Sequence, residues 1–508
     1  MKRNKKKKEN LRGAVSTILF LIVLVSVLSF ILKILGFQGY RTSIVNGVLA
    51  DTLVKTKSIF SEDGIRFVIG NSVTNFMNFQ PLVLLIISLI GIGICEKSGF
   101  LKVLFSPLRK IKFGIILYLT IIFSLISSFI GSYSYAFLIP LIAVIYKYLD
   151  KNPILGILIT FLSITLGYGT GIVFNYDNYN LAVLTEAAAV VDVDPSFSYS
   201  LTSTSYIMIV STIVLSFVLY VAITRFLLPK FPLKFKNEEE FNDTKKGFSL
   251  SVIISIISLL LVIYMIMDID LPFAGILLDK SKDVYIAKLF GEDAPFREGI
   301  VVIISFVMMI SGFVYGKLSK NIKNSSEYSL GLSKNFENLG LLFVLMFFMS
   351  QLISILDWTN IGEVVAANLI SFMSNLQFSG ILLIVTFMLI VIIMSILIPD
   401  TYTKWKLASP IVVPLFMRSN IAPQFTQFVF ETADSIGKII SPLFVYFIVT
   451  IAFLQKYNVD DKKQINILNT FKLMLSVILI VALFWIVFVS LWFLIGFPIG
   501  PGVFPTLW

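Results

Sequence analysis

The 508-residue chain has no histidine and a single cysteine, Cys95. Without histidine it lacks the commonest zinc ligand and the usual proton relay. One cysteine cannot form an internal disulfide. Charged residues are scarce, at 14%, where a soluble chain carries about 25%. No Gly-rich phosphate loop of the Walker type occurs in the long polar segments, which argues against ATP as the energy source. Any protonatable group inside a membrane must then be a carboxylate, a lysine or a tyrosine.

Apolar residues, in contrast, make up 57% of the chain, and the mean hydropathy is +0.91. They fall in repeated runs of about 20 residues, the length needed to cross a bilayer as a helix. The runs are continuous, not alternating, which excludes a membrane β-barrel. The fold class is all-α, a polytopic membrane protein whose first partner is the lipid bilayer. The net charge of +11 is no nucleic-acid signal, because Lys and Arg cluster in short loops where they orient spans and meet anionic lipid. Residues 1–13 read as a basic cytoplasmic tail, and 14–508 as one transmembrane domain in a cell (inner or plasma) membrane. The run from Ala14 is too long for a cleaved signal peptide.

Loop charges order the chain. Span 1 (Ala14–Gly36) runs outward. Residues 37–80 read as amphipathic helices at the outer interface. Span 2 (Pro81–Cys95) returns, and Glu96 and Lys97 read as an interfacial pair. Span 3 (Pro153–Phe174), weakened by Gly167, Gly169 and Gly171, leads to Asp177 and an external segment with Glu186 and Asp192. Spans 4 to 7 are Tyr206–Leu228, Phe248–Met267, Ile300–Tyr315 and Leu341–Leu356. An interfacial stretch, Ile361–Leu376, follows. Span 8 (Pro423–Gln455) is interrupted at Asp434–Lys438 and ends inside at Lys456, Lys462 and Lys463. Span 9 (Leu473–Phe497) puts the C-terminus outside.

Two segments break this pattern. Residues 114–148 and 380–417 are too long for one span and short for two, and each is polar in the middle. The first has basic residues at both ends and so enters from the cytoplasm; the second begins and ends outside. Both read as re-entrant hairpins, with tips at Gly131–Tyr135 and Pro399–Lys404. Span 2, hairpin and span 3 mirror span 7, hairpin and span 8. Such inverted repeats with broken helices at the midplane are a mark of secondary transporters.

The chain resembles the AbgT family, the p-aminobenzoyl-glutamate transporters and related antimetabolite exporters. The resemblance rests on Asn75–Pro81, Gly93–Gly99, Thr185-Glu186-Ala187, Lys404-Trp405 with Pro410 and Pro414, then Pro423, Asp434-Ser435, Pro442 and Gly496–Pro501. It implies nine spans, two opposed hairpins and a homodimer. It also implies site roles for Asp177, Trp405 and Asp434, the last in cation coupling. Four positions depart from the family pattern. Glu431 stands where an arginine is usual, Ser395 for an asparagine linked to sodium, and Ser132 for an aspartate; Pro399–Thr403 replaces a Gly-Ser. Losing the arginine removes the obvious partner for a substrate carboxylate.

Each candidate residue has a structural reading beside the functional one. Asp434 is an ion-coupling residue or an i,i+4 partner of Lys438. With Glu431 it leaves two carboxylates against one ammonium, suiting Na+ or H+, with Ser395 as a further ligand of Na+ and Ser435 as a further ion-coupling residue. Asp177 is a substrate ligand or a capping residue. Trp405 stacks on an aromatic substrate or anchors an interface. Lys404 pairs with Asp400 or meets the substrate anion. Pro423 and Pro442 free carbonyls for ligands or merely kink, and Ser132 binds ligand or packs. No cofactor beyond a coupling ion and no enzymatic activity is expected. The expected function is gradient-driven transport of a small aromatic or amphipathic carboxylate of the p-aminobenzoate type. Another organic anion or amino acid on the same fold, an intramembrane enzyme using Asp177 with Asp434, and a channel remain as rivals.

Overall fold

The structure is a computed structural model and describes residues 13–172, 174–235, 239–291, 293–458 and 465–507. The basic tail up to residue 12, with Lys462 and Lys463, lies outside the described residues. The chain is mostly helical, and its long apolar helices match spans 1, 2, 4, 5, 6, 7 and 9 in order. Helices such as Lys245–Met265 leave most of their apolar surface uncovered. In water such a face would be a severe liability; in a bilayer it meets lipid.

One expectation fails at residues 37–80. Gln38–Val45 and Val48–Lys55 form an antiparallel β-hairpin, β1 and β2, with Val45 opposite Val48. The two turn residues, Asn46 and Gly47, both take positive φ, the backbone that a two-residue hairpin turn requires. The Asn-Gly pair flanked by alternating side chains carried this signal. Only Glu62–Met77 is helical in that region, N-capped by Ser61.

Both hairpins form. The first has legs Phe113–Ile126 and Tyr133–Tyr148, 14 and 16 residues long. At about 1.5 Å per residue these reach roughly 21 and 24 Å, short of a hydrocarbon core of about 30 Å. The second has legs Gly380–Leu397 and Thr401–Arg418, joined by a three-residue turn at Ile398–Asp400. Its first leg is itself long and apolar enough to cross.

Span 3 is a helix of 14 residues, Pro153–Leu166, followed by an unwound stretch and a second helix, Tyr176–Asp192. Part of the freed backbone is satisfied by side chains of neighbouring helices, as lipid demands. The Trp485 indole donates to the Leu166 carbonyl at 3.1 Å, and the Gly171 amide donates to Thr212 Oγ1 at 2.9 Å. The segment expected to be external after span 3 begins with the helix Tyr176–Asp192, which is packed into the fold. An Asn175/Asn178 capping box starts it, and it packs on Thr401–Arg418 and Pro423–Ile440 through buried Thr185, Ala188 and Ala189.

Span 8 is also two helices, Pro423–Ile440 and Val445–Lys456, bent by 44°. The break lies at Ser441–Phe444, not at the charges around Asp434. Pro442 has no amide to continue the helix, whereas Glu431, Asp434 and Lys438 share one face and find partners on neighbouring elements. Glu96 likewise pairs across the fold, with Lys147 at 2.9 Å rather than with Lys97. Each hairpin is thus followed by a broken helix, in both halves.

Candidate functional site

A cavity of ≈ 380 Å³ sits where the two halves meet. Its wall takes Ser132 and Tyr133 from the first hairpin tip and Pro399–Thr403 from the second. Tyr176 and Asp177 come from the first broken helix, Lys438 and Phe444–Tyr446 from the second. It shares Asp357, Ile398, Tyr402 and Thr403 with a vestibule of ≈ 540 Å³, which runs beneath β1 past Arg41 and Glu363. Arg41 and Glu363 pair there at 2.8 Å.

Asp434 is fully buried and saturated. Ser395 Oγ donates to Oδ1 at 2.8 Å and Thr401 Oγ1 to Oδ2 at 2.6 Å. Lys404 donates to Oδ1, and Lys438 approaches Oδ2 at 3.2 Å. Lys404 therefore pairs with Asp434, not with Asp400, and does not line the cavity. The second ammonium revises the charge count. Asp434 pairs with both Lys404 and Lys438, so the carboxylate expected to face one ammonium faces two. Ser435 turns away and donates to the Thr432 carbonyl. The Lys438 ammonium also lies 3.6 Å from the Tyr168 ring centroid.

Glu431 belongs to a second network. Asn178 Nδ2 donates to both its oxygens, at 3.0 and 3.1 Å, and Gln427 Nε2 donates at 3.0 Å. Gln427 accepts from Thr185, which accepts from the Trp405 indole at 2.9 Å. This chain ties the second hairpin to both broken helices. Trp405 is fully buried, packed on Phe430 with ring centroids 4.5 Å apart, and is not part of the cavity wall. In this arrangement its faces serve packing, not a ligand. Pro423 begins its helix at the first turn and is buried, away from the cavity wall. Pro442 marks the break beside the cavity-lining Phe444.

Three of the expected residues do meet at the cavity: Asp177, Asp400 and Ser132. Asp400 caps its helix by accepting from the Thr403 amide at 2.7 Å. Asp177 faces the cavity with no hydrogen bond or ion pair among the described residues. It sits against the first tip: a Cβ on Gly131, whose φ is +56, would stand 2.9 Å from Asp177 Oδ2. The sequence reading missed Tyr133, Tyr168, Tyr176 and Arg297. Arg297 falls at the end of an external loop by charge counting, and nothing local shows that its helix, Pro295–Leu318, begins beside the cavity.

The profile of the AbgT putative transporter family matches residues 9–507. The chain belongs to the AbgT family. AbgT proteins are transporters, so the enzyme reading is dropped. The chain is 24% identical over 497 residues to the p-aminobenzoyl-glutamate transport protein of Escherichia coli (strain K12), covering 96% of this chain and 93% of that one. Among solved structures it resembles the Alcanivorax borkumensis YdaH transporter, described as having an unusual topology. The TM-score is 0.50 at 24% identity, over 96% of this chain and 100% of that one. It is equally similar to Neisseria gonorrhoeae MtrF, described as one of a class of antimetabolite efflux pumps. There the TM-score is 0.50 at 24% identity, over 97% and 98%. These likenesses support the AbgT fold. Of the three AbgT positions implied by resemblance, only Asp177 reaches the cavity; Asp434 and Trp405 lie behind it, joining the second hairpin to the broken helices.

Proposed function

We propose that this AbgT transporter moves a small aromatic or amphipathic carboxylate, of the p-aminobenzoyl-glutamate or p-aminobenzoate type, by alternating access coupled to a Na+ or H+ gradient. The observation that carries the reading is the cavity between opposed hairpin tips, walled by tyrosines and containing Asp177. A carboxylate at membrane depth with no ion pair or hydrogen bond of its own, only the more distant charges of Lys438 and Arg297 across the cavity, is costly and suits a bound cation or a proton. Asp177 is therefore the coupling residue in this proposal. Asp434, already balanced by two ammoniums, holds the second tip to its helix. Alternating access would rock one repeat against the other about the cavity.

The proposal includes residues 14–508 as one transport unit in the cell membrane, with the N-terminus cytoplasmic and the C-terminus extracytoplasmic. It also includes a homodimer, for which the uncovered apolar helix faces leave room beside lipid.

The test is uptake of labelled p-aminobenzoyl-glutamate into proteoliposomes, with Na+ and pH gradients imposed separately. Asp177→Asn is expected to abolish gradient-driven accumulation while leaving exchange between equal substrate pools. Undiminished accumulation in Asp177→Asn would refute the coupling assignment. No uptake by the native protein under any gradient would refute the substrate class.

A further inference from the structure

We infer that Arg297 is the residue that binds the substrate carboxylate, a deepening that rests on the proposal above. Arg297 lies in the first turn of Pro295–Leu318 and forms part of the cavity wall. Its guanidinium carbon stands 4.2 Å from the centroid of the Tyr176 ring, and Nη2 donates to the Tyr176 hydroxyl. Tyr176 in turn stacks on Tyr133 of the first hairpin tip, with centroids 6.4 Å apart and planes 15° from parallel. Cation, ring and ring form one stack at the edge of the cavity.

Beyond the Tyr176 and Tyr133 hydroxyls, the guanidinium has no acceptor within hydrogen-bonding distance among the described residues. Nε and Nη1 are shielded from solvent and make no hydrogen bond among the described residues. Among the described residues, the ion pair at this group is with Glu298, whose oxygen lies 3.7 Å from Nε, beyond hydrogen-bonding distance, on a side chain that is 58% exposed. Asp177 and Asp400, across the same cavity, do not pair with it. Charged donors buried without an acceptor are destabilising by more than a neutral bond repays. An arginine retained in that condition, on the wall of a transport cavity, fits a carboxylate that arrives as part of the cycle. Guanidinium is the side chain best matched to a planar carboxylate.

The position also answers the loss noted in the sequence. With Glu431 turned to Asn178 and Gln427, Pro423–Ile440 offers no guanidinium to an anion. Arg297 supplies one from a different helix, and the Tyr176–Tyr133 stack gives an adjacent flat surface for an aromatic ring.

The experiment compares binding of labelled p-aminobenzoyl-glutamate, and displacement by its diamide analogue, in native protein and in Arg297→Ala and Arg297→Lys, all in nanodiscs. Arg297→Ala should weaken carboxylate binding roughly 10- to 100-fold, the size of a lost charge-assisted hydrogen bond. Diamide affinity should stay within about twofold of native, so the preference for carboxylate over diamide collapses. Arg297→Lys, which keeps the charge, should fall between. Equal losses for both ligands would mean a structural role and overturn the assignment. So would an unchanged carboxylate preference in Arg297→Ala. If the native protein binds no carboxylate probe, the assignment falls together with the substrate class on which it rests.

Discussion

Replacing Asp434 by Asn tests how the second hairpin is held. Asp434 and Lys404 are both 0% exposed, and Lys438 is 8% exposed. The Asn variant keeps the shape and the Ser395 contact but leaves two ammoniums facing each other, Lys404 fully buried and Lys438 at the cavity wall. Breaking a buried pair from one side costs about 3–5 kcal/mol, and here the loss orphans two charges. Lys404→Met is the gentler change: it removes one ammonium of similar length, and Lys438, at 3.2 Å, still balances the carboxylate. We expect it to cost about 1–2 kcal/mol. The double variant should recover part of the Asp434→Asn loss, because a single ammonium remains and lies over the Tyr168 ring. Reversible SDS titration of the purified protein, followed by tryptophan fluorescence, reads these differences as a double-mutant cycle. If Lys404→Met proved as costly as Asp434→Asn, the shared-counterion account would be wrong.

Other predictions follow from the same geometry. Gly131→Ala, at φ +56 and with its new Cβ 2.9 Å from Asp177, should cost about 1–2 kcal/mol and disturb ion dependence of uptake more than substrate binding. Glu431→Gln sets an amide against the Asn178 and Gln427 donors and should destabilise by about 1–3 kcal/mol in the same titration. In a Cys95→Ser background, Tyr133→Cys and Thr401→Cys should each react with a small water-soluble maleimide, and both should be protected by bound p-aminobenzoyl-glutamate. Native Cys95, at 1% exposure, should stay unlabelled until the protein unfolds. Burial pushes Glu239 upward, but Lys147 and Lys334 outweigh it and hold it below its ordinary value of 4.5. Its contribution is therefore present above about pH 4.5 and lost as pH falls below it; Glu239→Gln should flatten the acid limb of a thermal-stability profile.

The order of the spans, the two segments that turn in their polar middle and the existence of two broken helices were legible from the chain because membrane insertion is decided locally; the place of the second break, at Ser441–Phe444, was not. Twenty apolar residues span, basic loops stay inside, and a polar interruption in a long apolar run must turn back or unwind. The β1–β2 turn was equally local, written in Asn46-Gly47, though the amphipathic pattern around it reads as helix. Partner choice was not legible. Lys404 is four residues from Asp400 in sequence, yet pairs with Asp434, because helix termini bring Ser395, Thr401 and Lys404 against a helix that begins at Pro423. Arg297 looks like part of a polar loop until Pro295–Leu318 is seen to start beside Tyr176. Trp405, conspicuous in the sequence, is consumed by Phe430 and Thr185. Solvation cost fixes which segments enter the bilayer and can be read residue by residue. Pairing of charges inside it depends on distances across helices far apart in the chain, and only the packed fold sets those.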